Sequence, residues 1–388
     1  MKSKGGIKMT ESHSNETHAF ASPSASKQWL KCWLVLWLKA KMEEEEKAGE
    51  IVIPSSDSDA SREGTLAHKI SELKLLAYSG EDTSARLEEA RHEKYYTGGD
   101  MERFTDKYVQ YVLDVSHGMK YPTYIEQRVS ACKYVPQCYG TADCIVFDTD
   151  KHCLHVIDLK YGRGVPVSAL HNPQLQIYAL GALDWWGEND GRKINEVQMH
   201  IVQPRISNTN TAVMSVTDLL FFGEKIRKEM ESREGKPPKP TPGNHCQFCN
   251  SKARCTIIKE DMRIMEENMD RNDLTLDEIA DLLIRAERVN SWKTAAEAYL
   301  FEQLNAGKCV KGWEIKAGRG RRVITDYDEA ACILSEELGV NINSLWKTEP
   351  LSLTALTEMA GGAKALETML GDLIIKSPGK PKLVRSED

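Results

Sequence analysis

The sequence predicts an α/β protein in which three or four strands form a sheet flanked by helices. Three observations predict it. The hydrophobic period changes to two from Tyr121 onward, giving strand-length stretches at Thr123–Val129, Gly140–Phe147 and Cys153–Lys160. The last two are joined by the polar turn Asp148-Thr149-Asp150-Lys151, so the three read as a meander. Asn172-Pro173 then supplies an N-cap and a proline at the first helical position, opening a helix to about Trp186 before a fourth strand at Glu196–Val202.

The flanking elements follow in order. Residues 1–22 are polar and rich in Ser, His and Thr, and read as a disordered leader. Ser24 to Met42 reads as one helix, with Trp29, Leu30, Trp33, Leu34, Trp37 and Leu38 forming an apolar stripe for a core. Residues 50–61 read as a loop, and Gly64 opens a helix to about Tyr78. Residues 81–117 read as amphipathic helix, with Tyr108, Tyr111, Val112 and Val115 facing a core. Residues 216–233 give another helix, and Glu234–Asn244 (EGKPPKPTPGN) a proline-rich linker. Thr275 and Glu278 have capping-box spacing and begin a long helix that Gly307 ends. The division expected is a leader (1–22), a core with a cysteine cluster (23–256), a helical connector (257–306) and a small C-terminal α+β domain (307–388).

Composition narrows the class. With 388 residues, a sizeable core is available. The net charge of −7 argues against a basic coat, but not against a local basic groove. The most apolar run, Trp29–Leu38, is interrupted by Lys31 and falls short of the about 20 residues a membrane span needs. Ten cysteines without a signal-peptide pattern point to thiols or metal ligands in a reducing cytoplasm.

The chemistry gathers on the meander. Hydrolysing a phosphodiester requires an in-line hydroxide and neutralisation of the charge on phosphorus. Mg²⁺ or Mn²⁺ held by carboxylates serves both needs. Asp143 and Asp158 lie on neighbouring strands, where both can reach one ion. Lys160 projects from the same strand face as Asp158, where it can act on water or phosphate. The Leu159 carbonyl and the His68 imidazole are further candidate ligands. A lone histidine is ordinarily a satisfied core or surface group, but Glu72 follows His68 by one turn. Gln174 and Tyr178 share one helix face and can turn toward the same place. Gly162-Arg163-Gly164 is either a plain turn or a phosphate clamp through Arg163.

In order, His68, Glu126, Gly140-Thr-Ala-Asp143, Asp158-Leu-Lys160 and Gln174-Leu-Gln-Ile-Tyr178 resemble the RecB-like branch of the PD-(D/E)XK nucleases. The resemblance covers roughly residues 22–256. It implies a restriction-endonuclease-like core, a mixed sheet flanked by helices, that cleaves DNA with Mg²⁺ or Mn²⁺. It further implies His68, Asp143 and Asp158 at the metal, with Glu126, Lys160, Gln174 and Tyr178 in the catalytic set. Glu126 is the softest match, since exposed strand glutamates are common.

Cys246, Cys249 and Cys255 form C-x2-C-x5-C, with His245 adjacent and Cys32 far upstream. By spacing alone, structural zinc or an iron–sulfur cluster fits. The one-plus-three arrangement resembles the iron–sulfur nucleases of the AddB type and of CRISPR adaptation, which implies a [4Fe–4S] clasp on Cys32, Cys246, Cys249 and Cys255. Trp33 stands where that family often has proline. Cys132, Cys138, Cys144, Cys153, Cys309 and Cys332 lack ligand spacing.

Residues 308–326 read as a basic hairpin in which Lys311, Trp313, Arg319, Arg321 and Arg322 can grip a DNA backbone and stack a base, or simply face solvent. The whole resembles a phage or prophage family that joins such a core to such a tail. That implies a DNA exonuclease of phage recombination or replication in a bacterial cytoplasm, working with a helicase or single-strand-binding protein. A catalytically silent DNA-binding or scaffold subunit and a zinc-stapled regulatory protein are the alternatives. No G-x-x-x-x-G-K-[ST] occurs, which argues against a built-in motor.

Overall fold

A computed structural model describes residues 19–53, 58–189, 193–233 and 238–315, with four isolated positions beyond. The chain divides into two units, 1–315 and 316–388. The first is a mixed α/β unit, built as follows.

A turn at Pro23–Ala25 leads into α1 (Ser26–Trp29) and α2 (Leu34–Lys47). The single helix expected over 24–42 is therefore broken at 30–33, and Cys32 lies in the break. The amide of Cys32 still donates to Gln28 O at 2.9 Å. The buried Trp29 and buried Leu34, Leu36 and Leu38 are split between two packing environments, one in the main core and one around Cys32. A straight helix presents one stripe to one neighbour, so the continuous stripe could not reveal the break. Ala19 and Ala21 are buried, and Lys39 Nζ donates to Ala19 O at 2.6 Å, so the end of the expected leader is part of the core. The rest of that leader, 1–18, lies outside the described residues.

Next come α3 (Asp59–Tyr78), α4 (Ser84–Arg91) and α5 (Gly99–Val115). The first starts earlier than expected because the Ser58 side chain accepts from the Ser61 amide and caps it. The helix expected over 81–117 is interrupted before α5, where Gly98 takes φ +65°.

The sheet contains β1 (Thr123–Ser130), β2 (Tyr139–Asp148), β3 (Cys153–Leu159), β4 (Glu196–Gln203) and β5 (Asn208–Ser215), in that spatial order. The first three are the antiparallel meander, and β4 runs parallel to β3 after a crossover through α6 (Pro173–Asn189). Asn172 caps α6, its Oδ1 accepting from the Gln174 amide at 3.1 Å. The unexpected fifth strand is antiparallel to β4, and only Ala212 in it is buried. Helix α7 (Val216–Arg233) follows.

On one sheet face, Ile145, Phe147, Leu154 and Val156 pack with α6 and α7. On the other, Cys144, Val146, Ile157 and Leu159 pack with α5. The unit is thus a three-layer arrangement with a mixed sheet in the middle. Finally α8 (Ile257–Asn268) and α9 (Leu276–Asn305) pair, the latter opened by the Thr275–Glu278 capping box and followed by Gly307 at φ +82°.

Candidate metal and phosphate site

Strands β2 and β3 end side by side where α3 and α6 approach them. Helix α3 brings His68, whose Nδ1 stands 3.4 Å from Asp143 Oδ1. Glu126 completes a group in which the donor atoms of His68, Glu126 and Asp143 all lie within 4.8 Å of one another. Among the described residues this is the one such group of three.

Glu126 reaches the group through an unusual backbone. It lies opposite Asp143 in the β1–β2 register, between the pairs Ile125–Cys144 and Gln127–Ala142, yet it is itself unpaired. Its φ is +48°, inside a strand. A non-glycine residue in that region is strained by roughly 1–3 kcal/mol, and such strain gathers at functional sites. Glu126, the weakest element by sequence, is therefore one of the most distinctive in three dimensions.

Asp158 and Lys160 form the second half. Lys160 Nζ is 2.6 Å from Asp158 Oδ2 and donates to Gln174 Oε1 at 3.2 Å, while Gln174 Nε2 donates to Asp158 Oδ1 at 3.0 Å. Gln174 so holds both partners at once. The Lys160 ammonium is the one cation that the buried Asp158 Oδ2 meets among the described residues. The Leu159 amide donates to Asp143 Oδ2 at 2.7 Å, so Leu159, expected as a carbonyl ligand, meets Asp143 through its N–H and fixes that carboxylate.

The electrostatics follow from crowding. Burial pushes the Glu126 carboxyl up to about 7, with Asp143 adding repulsion and His68 opposing. Burial disfavours the charged form of His68, but Asp143, Asp158 and Glu126 outweigh it and raise the imidazole to about 9. Burial also works against Asp143, yet His68, Lys160 and the Leu159 amide hold it below the usual carboxylate range. Burial pushes Asp158 up, and Lys160 only partly offsets this. The Lys160 ammonium is held above its usual range by Asp158 and Asp143, against burial. Three carboxylates against one lysine and one histidine make a site that a divalent cation would relieve.

Tyr178 is buried beside this cluster on α6. It also explains Gly140: a Cβ there would sit 3.1 Å from Pro23 Cδ and 3.2 Å from Tyr178 Cε1. Arg163 faces Asp100 at 3.8 Å rather than the carboxylates. Two residues not singled out by sequence belong to the surroundings. The buried Tyr108 hydroxyl has no hydrogen-bond partner and is pushed up by burial, with Cys144, Asp143 and Glu126 adding to the shift. Lys27 on α1 interacts with the charges of Lys160 and Asp158. No sequence signal marks Lys27, because nothing local shows that α1 folds over the strand ends.

The four cysteines gather on one side of the unit. Cys32 lies in a small apolar cluster against which Cys255 packs, and its Sγ accepts from the Thr241 amide at 3.5 Å. Burial raises the Cys249 thiol to about 11, and Cys255, Cys246 and Cys32 all add to the shift. Protein contacts hold the loop: Arg254 pairs with Glu45 of α2, and Trp292 Nε1 of α9 donates to Ala253 O at 2.9 Å. Of the basic hairpin, Lys311 and Trp313 are described, with a single bridge between Val310 and Trp313 and the indole exposed. Arg319, Arg321, Arg322 and Cys332 lie outside the described residues.

Residues 18–388 match the family described as "Protein of unknown function (DUF2800)". The chain belongs to that family. The family description assigns no chemistry to the site. A solved structure titled "Crystal structure of SSO0001" is similar at 15% identity over 56% of this chain and 93% of that one, with a TM-score of 0.23. At those values nothing about activity passes between the two. Among the described residues, no helix is long and apolar enough to cross a membrane.

Proposed function

We propose that the chain is a Mg²⁺- or Mn²⁺-dependent deoxyribonuclease acting on DNA ends as an exonuclease, in phage-type recombination or replication. The observation that carries this reading is the pairing of two groups. One is the ligand set His68–Glu126–Asp143; the other is the Asp158–Lys160 pair spanned by Gln174. The ordered resemblance to RecB-like nucleases supports it.

The donor set fits a hard divalent ion: two carboxylates and an imidazole converge. His68, Glu126 and Asp143 would hold the ion, with Asp158 beside them. When bound, it supplies charge neutralisation at phosphorus and a more acidic water. Lys160, held by Asp158 and Gln174, orients the attacking water and places positive charge beside the scissile phosphate. The Leu159 amide keeps Asp143 in place.

In the same reading Cys32, Cys246, Cys249 and Cys255 hold a [4Fe–4S] cluster that staples the α2 side to the cysteine loop. Their convergence from positions more than two hundred residues apart supports this. Anaerobically purified protein should be brown with broad visible absorbance. A colourless protein carrying one equivalent of zinc would replace the cluster by a zinc staple.

The decisive assay uses labelled linear single- and double-stranded DNA with Mn²⁺, comparing wild type with Lys160→Ala and Asp158→Ala. Cleavage is expected from wild type and from neither variant, with DNA binding kept. Equal activity in all three would overturn the site, and binding without cleavage by wild type would favour a silent DNA-binding subunit.

A further inference from the structure

Three carboxylates at one site repel a phosphodiester, so a nuclease of this kind needs a cation free to meet the backbone. Lys160 is already committed to Asp158 and Gln174, and His68 to Asp143. Arg163 turns to Asp100. Lys27 differs from all of these. Among the described residues, it has no hydrogen-bond or ion-pair partner.

Its position is fixed by packing rather than by charge. Trp29 and Ser26, its neighbours on α1, are fully buried, and Trp29 Nε1 donates to Ser22 O at 2.9 Å. Pro23, just before them, rests in the space left by the missing Cβ of Gly140, at the start of the strand that carries Asp143. Helix α1 packs on α6, which carries Gln174 and Tyr178, and on the turn Asn244–Phe248, which carries Cys246. Lys27 is exposed at the edge of this wedge, where the charges of Lys160 and Asp158 act on its ammonium. Burial and Lys160 lower its pKa, and Asp158 works the other way.

We propose that Lys27 is the phosphate-docking residue of this site, a cation delivered by α1 to a DNA backbone phosphate while Lys160 serves the reacting one. The inference rests on the nuclease reading above and adds a residue and a division of labour to it.

The test is binding of a fluorescently labelled single-stranded oligonucleotide in EDTA, where nothing is cleaved, by anisotropy across a salt series, together with steady-state cleavage in Mn²⁺. Lys27→Gln should bind about five- to tenfold more weakly, as expected for loss of one charge-assisted contact. Its salt slope should fall by about 0.7, one phosphate fewer on a single strand. KM should rise more than kcat falls. Lys27→Arg should restore affinity and slope to within about twofold, which a purely packing role would not allow, because the guanidinium keeps the charge and changes the shape. Melting temperatures of both variants should match wild type. Unchanged affinity and slope in Lys27→Gln, with wild-type cleavage intact and Lys160→Ala dead, would overturn this inference and leave the nuclease reading standing. Failure of wild type to bind or cleave DNA would remove both.

Discussion

The first unit has two histidine sites, one on α3 beside the sheet and one within it, that environment has driven in opposite directions. His68 sits at the strand ends among carboxylates, is partly exposed, and is raised to about 9. His155 and His200 face each other within the sheet, Nδ1 to Nε2 at 3.0 Å, and burial lowers them to about 4 and about 3. His200 Nδ1 also meets Tyr111 Oη at 2.9 Å and Thr211 Oγ1 at 3.1 Å. The second pair has its hydrogen bonds largely met by neutral neighbours, which is what a core histidine requires. The first has excess negative charge around it and is partly exposed. The difference teaches that the residue type says little and the sign of the surrounding charge says much.

Experiments can break that contrast. The largest effect is expected in catalysis. Lys160→Ala or Asp158→Ala should lower DNA cleavage by at least about a hundredfold, whereas His200→Gln should leave the rate per folded molecule unchanged in the same gel assay. Stability should show the reverse. His200→Ala strands Tyr111 and Thr211 and opens a cavity, so urea denaturation should show a loss of about 3 kcal/mol. His68→Ala should abolish calorimetric Mn²⁺ binding, and above pH about 9, where the imidazole is neutral folded or unfolded, should change stability by less than about 1 kcal/mol.

Acidity should separate the two sites next. A group raised on folding stabilises below its unfolded pKa and loses that contribution as pH climbs through the folded one. For His68 the window is 6.5 to about 9, so metal-free protein should melt at progressively lower temperature across it. His68→Gln should flatten that limb. His155 and His200 are lowered, so their contribution is complete above 6.5 and is lost as pH falls toward about 4 and about 3. Mn²⁺ affinity should meanwhile rise with pH through about 7 and about 9, since Glu126 and His68 must release protons to bind it. The smallest effect is expected from Gly140→Ala. Pro23 or Tyr178 must give by a few tenths of an ångström, costing about 1 kcal/mol, with a few-fold loss of cleavage rate if α1 is displaced.

Much of this layout was legible in the chain. The meander was readable because strand-length stretches are bounded by polar turns, although β3 is buried along its whole length, and Lys160, two positions after Asp158, falls on the same side by the strand period. The Asn172-Pro173 start and the Thr275–Glu278 box are local chemistry, and local chemistry reads well. Strand β5 escaped because Asn208-Thr-Asn-Thr is polar on an edge, where pairing rather than burial makes a strand. The break at Cys32, the positive φ of Glu126 and the approach of Lys27 are set by tertiary packing. The His155–His200 contact spans 45 positions and carries no motif.

The clamp between the two ends of the first unit has a consequence for how the protein is made. Gln303 of α9 grips the Val52 backbone on both sides, accepting from its amide at 2.9 Å and donating to its carbonyl at 2.5 Å across 251 positions. At about 5–20 residues per second on the ribosome, roughly 12–50 s separate the emergence of the two partners. His68, Glu126, Asp143 and Lys160 are all synthesised within that interval, before the cysteine loop and α9 exist to hold the N-terminal helices down. The nascent chain therefore carries its full complement of carboxylates well before the segment bearing Lys27 is locked beside them, and the finished site is expected to arrive late in translation.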